Sequence, residues 1–293
     1  MKELLDTLKK HDLRTNKYKT IGHATIIDSN KGRLVLKEKQ NQDIYNYLDS
    51  RSFNYYPKMI NDDKYQIMEY QENTNMPKEQ KMLDLINLVS LLHNKTTFYQ
   101  NVDEDDYKKI YEDLKNNIDY LFNYYNDLMT VIESRVFMAP DELLLARNIS
   151  IVFAALNYSS VKLDEWLDSI KDKHRKRYAV IHNNLSLDHF IKNKNAYLIS
   201  WDKSRIDSPI YDIYKLYKDN AMEYDFKDIL KAYNKNYPLL EEEKNLFYIL
   251  ISIPDKIELN DTMYNNSKKI SNLIDYLYKT EELISPNNSE NTK

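Results

Sequence analysis

The hydrophobic residues of this chain change their period once, near residue 78, and that change limits the folds open to it. Up to Tyr70 the apolar residues alternate in short runs broken by polar turns. Beyond residue 78 they recur three and four apart over long stretches. A period of two builds half-buried strands and a period of 3.6 builds amphipathic helices. The order predicts a strand-rich region of about 70 residues followed by a helical body, an α+β arrangement.

Within the first region, residues 1–13 read as a short helix with Leu4, Leu5, Leu8 and Leu13 on one side. Residues 18–27 and 32–38 read as strands around the turn Asp28-Ser29-Asn30-Lys31, and 65–70 as a further strand after Met59-Ile60. A short helix over 42–48 intervenes. In the second region, Met82, Leu85, Ile86, Val89 and Leu92 form one helical stripe, with His93 packed at its end. A longer stripe runs from Tyr107 to Ile132, and another from Leu143 to Leu156. Ser159-Ser160 offer an N-cap to a separate helix over 161–170. The basic run 171–177 reads as a solvated helix end. Helices are expected over 225–235, 241–251 and 267–283, and 285–293 reads as a disordered tail.

One segment interrupts the helical region. Residues 178–217 hold two apolar runs, 187–192 and 196–201, around a polar turn, which predicts a β-hairpin. Histidines, asparagines and carboxylates crowd around it as nowhere else in the chain.

Composition excludes several classes. A net charge of −4 leaves no nucleic-acid footprint, and no apolar run has the length of a membrane span, so no membrane insertion is expected. Charges interrupt Met1-Lys-Glu-Leu-Leu-Asp, which does not read as a signal peptide. Zero cysteines exclude disulfides and thiolate metal sites and fit a cytoplasmic setting. Gly22 and Gly32 are the sole glycines, so a Walker A loop or dinucleotide fingerprint is absent.

The residues around the hairpin carry a resemblance. His182-Asn183-Asn184, then Ile199-Ser200-Trp201-Asp202, then Ser208-Pro209-Ile210-Tyr211-Asp212-Ile213 follow the spacing of three motifs over about forty residues. These are the His-Gly-Asp loop, the Ile-Asp-Trp strand end and the Asp-Pro-x-x-Asp-Leu helix start. The chain resembles the aminoglycoside phosphotransferases and related small-molecule kinases, in style nearest the spore-coat CotS branch. The resemblance implies a two-lobed kinase-like fold, with a small mostly antiparallel sheet over 1–72 and a helical lobe over 73–284 carrying the embedded hairpin.

It also implies roles by position. Lys37, ending the strand Leu34-Val35-Leu36, reads alone as a strand-end surface residue; with the motifs over 182–212 it takes the place of the phosphate-holding lysine. Asp43, and more weakly Glu38, is the expected acid for it. Gly22 joins the nucleotide-side residues, and Met68, Glu69 and Tyr70 take the segment whose backbone amides meet an adenine edge, or else simply an edge strand. His182 and Asp212 match the loop scaffold.

The chemical positions depart from the family. The catalytic-base position is Asn184, an amide that takes no proton, so general-base help worth ~10²–10⁴-fold is lost. The two metal positions hold His189 and Ser200, where magnesium prefers charged oxygen. Asp188 and Asp202 are substitute oxygen ligands if Ser200 and Asp202 share a strand face; otherwise Asp202 bonds local backbone. The expectation is a pseudokinase acting as a binding or assembly module for a protein partner or small-molecule ligand, spore-associated by resemblance. The alternative is an active ATP-dependent phosphotransferase with magnesium or manganese at Asp188 and Asp202.

Overall fold

The computed structural model describes residues 7–285 apart from 23, 40, 41 and 63. The expected tail therefore lies outside the described residues beyond Ser285, as do Leu4 and Leu5. The fold is α+β, and the chain divides into two compact units, residues 1–97 with 179–212 and residues 98–178 with 213–293.

The first unit is built on a five-stranded sheet of order β1-β2-β3-β5-β4, every neighbouring pair antiparallel. The strands are β1 (Thr15–Ile21), β2 (Ala24–Ser29), β3 (Gly32–Glu38), β4 (Met59–Asn61) and β5 (Tyr65–Glu69). The single strand expected over 18–27 is two strands, with Ile21 paired to Ala24 across the reversal. Gly22 sits there at φ 56°, a backbone conformation that costs glycine nothing and other residues ~1–2 kcal/mol. Alternation holds on β3: Leu34 and Leu36 point into a core with Leu8, Leu13, Ile27 and Ile67. The opposite face receives Val35 and Lys37.

Helix α1 (Gln42–Ser50) ends in a Schellman turn. Phe53 N donates to Leu48 O and Ser52 N to Asp49 O, with Ser52 at φ 55°. Leu48 and Phe53 are both fully buried, which adds the hydrophobic contact such turns favour. Helix α2 (Lys78–Thr96) buries the expected stripe of Met82, Leu85, Ile86, Val89 and Leu92, and His93 with it. The predicted hairpin is present but shorter: β8 (Phe190–Lys192) pairs β9 (Ala196–Leu198), Phe190 opposite Leu198. Residues 187–189 form a 3₁₀ turn instead, because the Ser186 hydroxyl accepts from His189 N and closes it. The last three residues of β7 (Arg175–Ile181) pair β10 (Arg205–Asp207) in this unit.

The second unit is helical, with α3 (Glu104–Glu133), α4 (Pro140–Ile170), α6 (Phe226–Asn236), α7 (Glu241–Ser252) and α8 (Met263–Ile284), and α5 (Ile210–Asn220) enters it from Ile213. The separate helix expected after Ser159-Ser160 does not exist; α4 runs through. No proline or glycine breaks the ladder, and Ser159 Oγ donates to Ala155 O, satisfying its hydroxyl within the helix rather than capping a new one. The basic run is not a solvated helix end throughout. It becomes a strand, β6 (Phe98–Asn101) pairing Arg175–Tyr178, and Arg177 is buried. Its guanidinium pairs with the buried Glu243 (Nε to Oε1 2.9 Å), donates to Pro238 O and stacks 4.1 Å over the Tyr237 ring.

Candidate functional site

Every residue of the candidate site lies in the first unit. The site begins with Asp212, which is wholly buried. Its Oδ1 accepts Asn183 N at 2.6 Å; its Oδ2 accepts His182 N at 2.7 Å and faces His93 Nε2 at 3.2 Å. Burial opposes this carboxylate, but the His93 hydrogen bond and charge, with help from His182 and the Asn183 amide, outweigh it and hold its pKa below the usual carboxylate value. One side chain thus pins the loop after β7.

The loop turns sharply at Asn183, which adopts φ 59°. This is the position where the resembling motif has glycine, and asparagine is the non-glycine residue that best tolerates that conformation. Asn183 Nδ2 donates to Lys203 O and His182 Nε2 to Ile199 O, so the loop is tied to the chain after β9. A carbonyl only accepts, so the Nε2 of His182 carries the proton and its buried Nδ1 is bare. Burial holds the His182 pKa down, to about 4, against the opposing pull of Asp212. Trp201 packs edge-on against this imidazole at 4.8 Å. It is buried, donates to Leu198 O, and also meets Tyr45 of α1 and Phe53.

After β9 the chain leaves the strand. Ser200 takes the left-handed conformation (φ 66°, ψ 55°) and Trp201–Lys203 form a 3₁₀ turn closed by Ser204 on Trp201 O. Strand alternation is therefore not what brings Ser200 and Asp202 together; the kink and the tight turn are. Lys37 Nζ donates to Ser200 Oγ at 3.2 Å and stands 3.6 Å from Asp202 Oδ2. Lys37 is 18% exposed and Asp202 43%. The acid facing Lys37 is thus Asp202 rather than Asp43 or Glu38. Asp43 lies exposed in the first turn of α1, and Glu38, next to Lys37 on the strand, points away by alternation.

Of the remaining expected residues, Asn184 is half-buried and its backbone carbonyl accepts from His189 Nδ1 at 2.7 Å. That bond fixes the His189 tautomer, leaving Nε2 with its lone pair. Asp188 is exposed, and its charge acts on Lys81 of α2, whose pKa is lowered chiefly by partial burial. Gly22 is at the β1–β2 reversal. Met68 is buried in β5. The amides of Glu69 and Tyr70 are not open to an adenine edge: Glu69 N donates to Lys58 O and Tyr70 N to Arg33 O, because the sheet ladder reaches that far along β5. The following residues instead bond the hairpin, Asn193 Nδ2 donating to Gln71 Oε1 and Thr74 N to Lys192 O.

No family model matches the chain, and no curated protein matches it in sequence. Solved structures do match. An aminoglycoside phosphotransferase from Alicyclobacillus acidocaldarius superposes with a TM-score of 0.67 over 92% of this chain and 90% of its own, at 8% identity. The fold is that of an aminoglycoside phosphotransferase. A spectinomycin phosphotransferase shares this phosphotransferase fold: its AMP-bound complex gives a TM-score of 0.58 at 14% identity, covering 97% of this chain and 99% of that one. The same enzyme with ADP and spectinomycin gives 0.50 at 13% identity, over 96% and 98%.

The donor set does not suit the magnesium that phosphotransferase chemistry calls for. At the fold's expected metal positions stand an imidazole nitrogen and a hydroxyl that already accepts from Lys37. Asp202 is offset by Lys37. Among the described residues, no group of three His, Asp or Glu side chains is placed to hold a metal ion. A hard cation prefers several oxygens, carboxylates first.

Proposed function

We propose that this chain is a pseudokinase: a phosphotransferase-fold protein that binds a ligand or partner beside Lys37 and does not transfer phosphoryl groups. The observation that carries this reading is Lys37 itself. Its ammonium is held by a hydroxyl and one carboxylate from the turn after β9, while Asn184 occupies the base position. The scaffold of the loop is held by hydrogen bonds from the backbone amides of His182 and Asn183 to Asp212, from His182 Nε2 to Ile199 O and from Asn183 Nδ2 to Lys203 O. A half-exposed Asp202 and a mostly buried lysine form a polar site that suits an anionic ligand displacing the carboxylate from the lysine. Since the spectinomycin enzyme holds AMP or ADP, a nucleotide is the ligand to test first. The setting is a cytoplasmic or spore-coat-like assembly, with a protein partner or small molecule as the bound species.

A second reading, an active ATP-dependent phosphotransferase with magnesium or manganese at Asp188 and Asp202, draws on the exposure of both carboxylates. Thermal shift with ATP, with and without either divalent ion, separates the two. The pseudokinase predicts a shift, or none, that is independent of metal, and no turnover. Asn184→Asp with Ser200→Asp restores two carboxylates and should make nucleotide binding depend on the divalent ion. Turnover by the unaltered protein that disappears in Asp202→Asn would establish the second reading and overturn the first.

A further inference from the structure

The second unit has an apolar knob and an apolar groove that nothing described above uses. The knob is the α3–α4 connection, where Val136 and Phe137 are 90% and 88% exposed. It is extended by Met263 and Tyr264 at the start of α8, 57% and 77% exposed. Asn266 donates to Asp141 between the first turns of α8 and α4, so these side chains gather at one end of the helix pair. The groove lies farther along the same two helices. It has a volume of about 500 Å³ and is lined by Ile151, Ala154, Ala155 and Tyr158 of α4 and by Leu277 and Ile284 of α8. Small side chains on α4 make the depression. Against the expectation that no run has the length of a membrane span, helix α4 is long and apolar enough to cross one by length and composition, because its few charges are spread along 31 residues; only 22% of its most apolar window is buried. Large exposed apolar patches on a folded unit mark interaction surfaces.

We infer that a second copy of this chain covers both features, the knob of each protomer seated in the groove of the other. The argument is geometric. From the start of α4 to Ala154 is about 20 Å at 1.5 Å per residue. Two α4 helices packed antiparallel about a twofold axis midway along that span bring both knobs to both grooves at once. A self-complementary contact of this kind closes after two copies. The area suffices. Two aromatic side chains at about 150–250 Å² each, with Val136 and Met263, present roughly 500 Å² of knob per copy. Two knobs and the groove walls they cover exceed the roughly 1,200 Å² of a stable interface.

The test needs no ligand: sedimentation equilibrium and light scattering over a dilution series of the full chain. A reversible dimer is expected. Phe137→Ser removes a large apolar side chain from each of two sites and should weaken the dimer roughly a hundredfold or more. Ala154→Trp, filling the groove, should do the same, with circular dichroism confirming the fold. Because the chain has no cysteine, crosslinking is clean. A mixture of Phe137→Cys and Ala154→Cys proteins should form a mixed disulfide dimer under mild oxidation, whereas two such residues within one chain lie too far apart to bond. A monomer at every concentration, a dimer indifferent to both variants, or a monomer that instead floats with phosphatidylcholine vesicles would each overturn the inference.

Discussion

Acidification should destabilise this protein through one histidine, and the size of the effect follows from its burial. His182 is fully buried and donates through Nε2 to Ile199 O, and its Nδ1 meets no hydrogen-bond partner among the described residues. Its pKa falls from 6.5 to about 4 on folding. The sign is set by which state binds the proton. Between pH 6.5 and 4 the unfolded chain is protonated at this site and the folded chain is not, so stability falls as pH falls. The contribution is intact above pH 6.5 and lost by about pH 4, a total of about 3 kcal/mol at about 1.4 kcal/mol per pK unit. Asp212, whose pKa is also depressed, adds its loss only below the ordinary carboxylate range, so the upper window belongs to His182. Urea unfolding at steps from pH 7.5 to 4.5 measures this. Trp201, 4.8 Å from the imidazole, is the reporter, in a Trp166→Phe background that leaves it the one tryptophan. Because the chain has six histidines, the comparison is with His182→Gln, which keeps a donor toward Ile199 O without an imidazole at this site. The unaltered protein should lose about 2–3 kcal/mol more than the variant between pH 7 and pH 4.5. Parallel loss in the two proteins, or a His182 resonance titrating near pH 6.5, would refute the reasoning.

Two further expectations concern stability alone. Arg177→Met strands the Glu243 carboxylate inside the helical unit and should cost about 3–5 kcal/mol, while Arg177→Met with Glu243→Leu should recover much of it; chemical denaturation reads both. Ser52→Gly relieves a left-handed serine at the end of α1 and should stabilise by up to about 1 kcal/mol, seen as a higher melting temperature; a drop would mean the Schellman geometry is misassigned.

The sequence alone determined the elements whose evidence is local. The change of period near residue 78 marks the end of the sheet, the stripe from Met82 to Leu92 marks the buried face of α2, and the polar turn between two apolar runs marks the β8–β9 hairpin. The apolar run Leu34-Val35-Leu36 marks the strand that carries Lys37. Such signals survive because backbone geometry repeats every two or 3.6 residues whatever lies elsewhere in the chain. What Lys37 meets was not legible. Its partners lie 163 and more residues away, and they arrive because Ser200 and Asn183 adopt left-handed backbone that no periodicity announces. Asn183 had a faint signal, an Asn-Asn pair in a chain almost without glycine; Ser200 had none. The burial of Arg177 was equally hidden, since a basic run looks the same whether water or Glu243 receives its charge. Local pattern fixes which face a side chain takes, whereas the charge state of His182 and the partner of Lys37 depend on which faces meet, and only the packing of distant segments decides that.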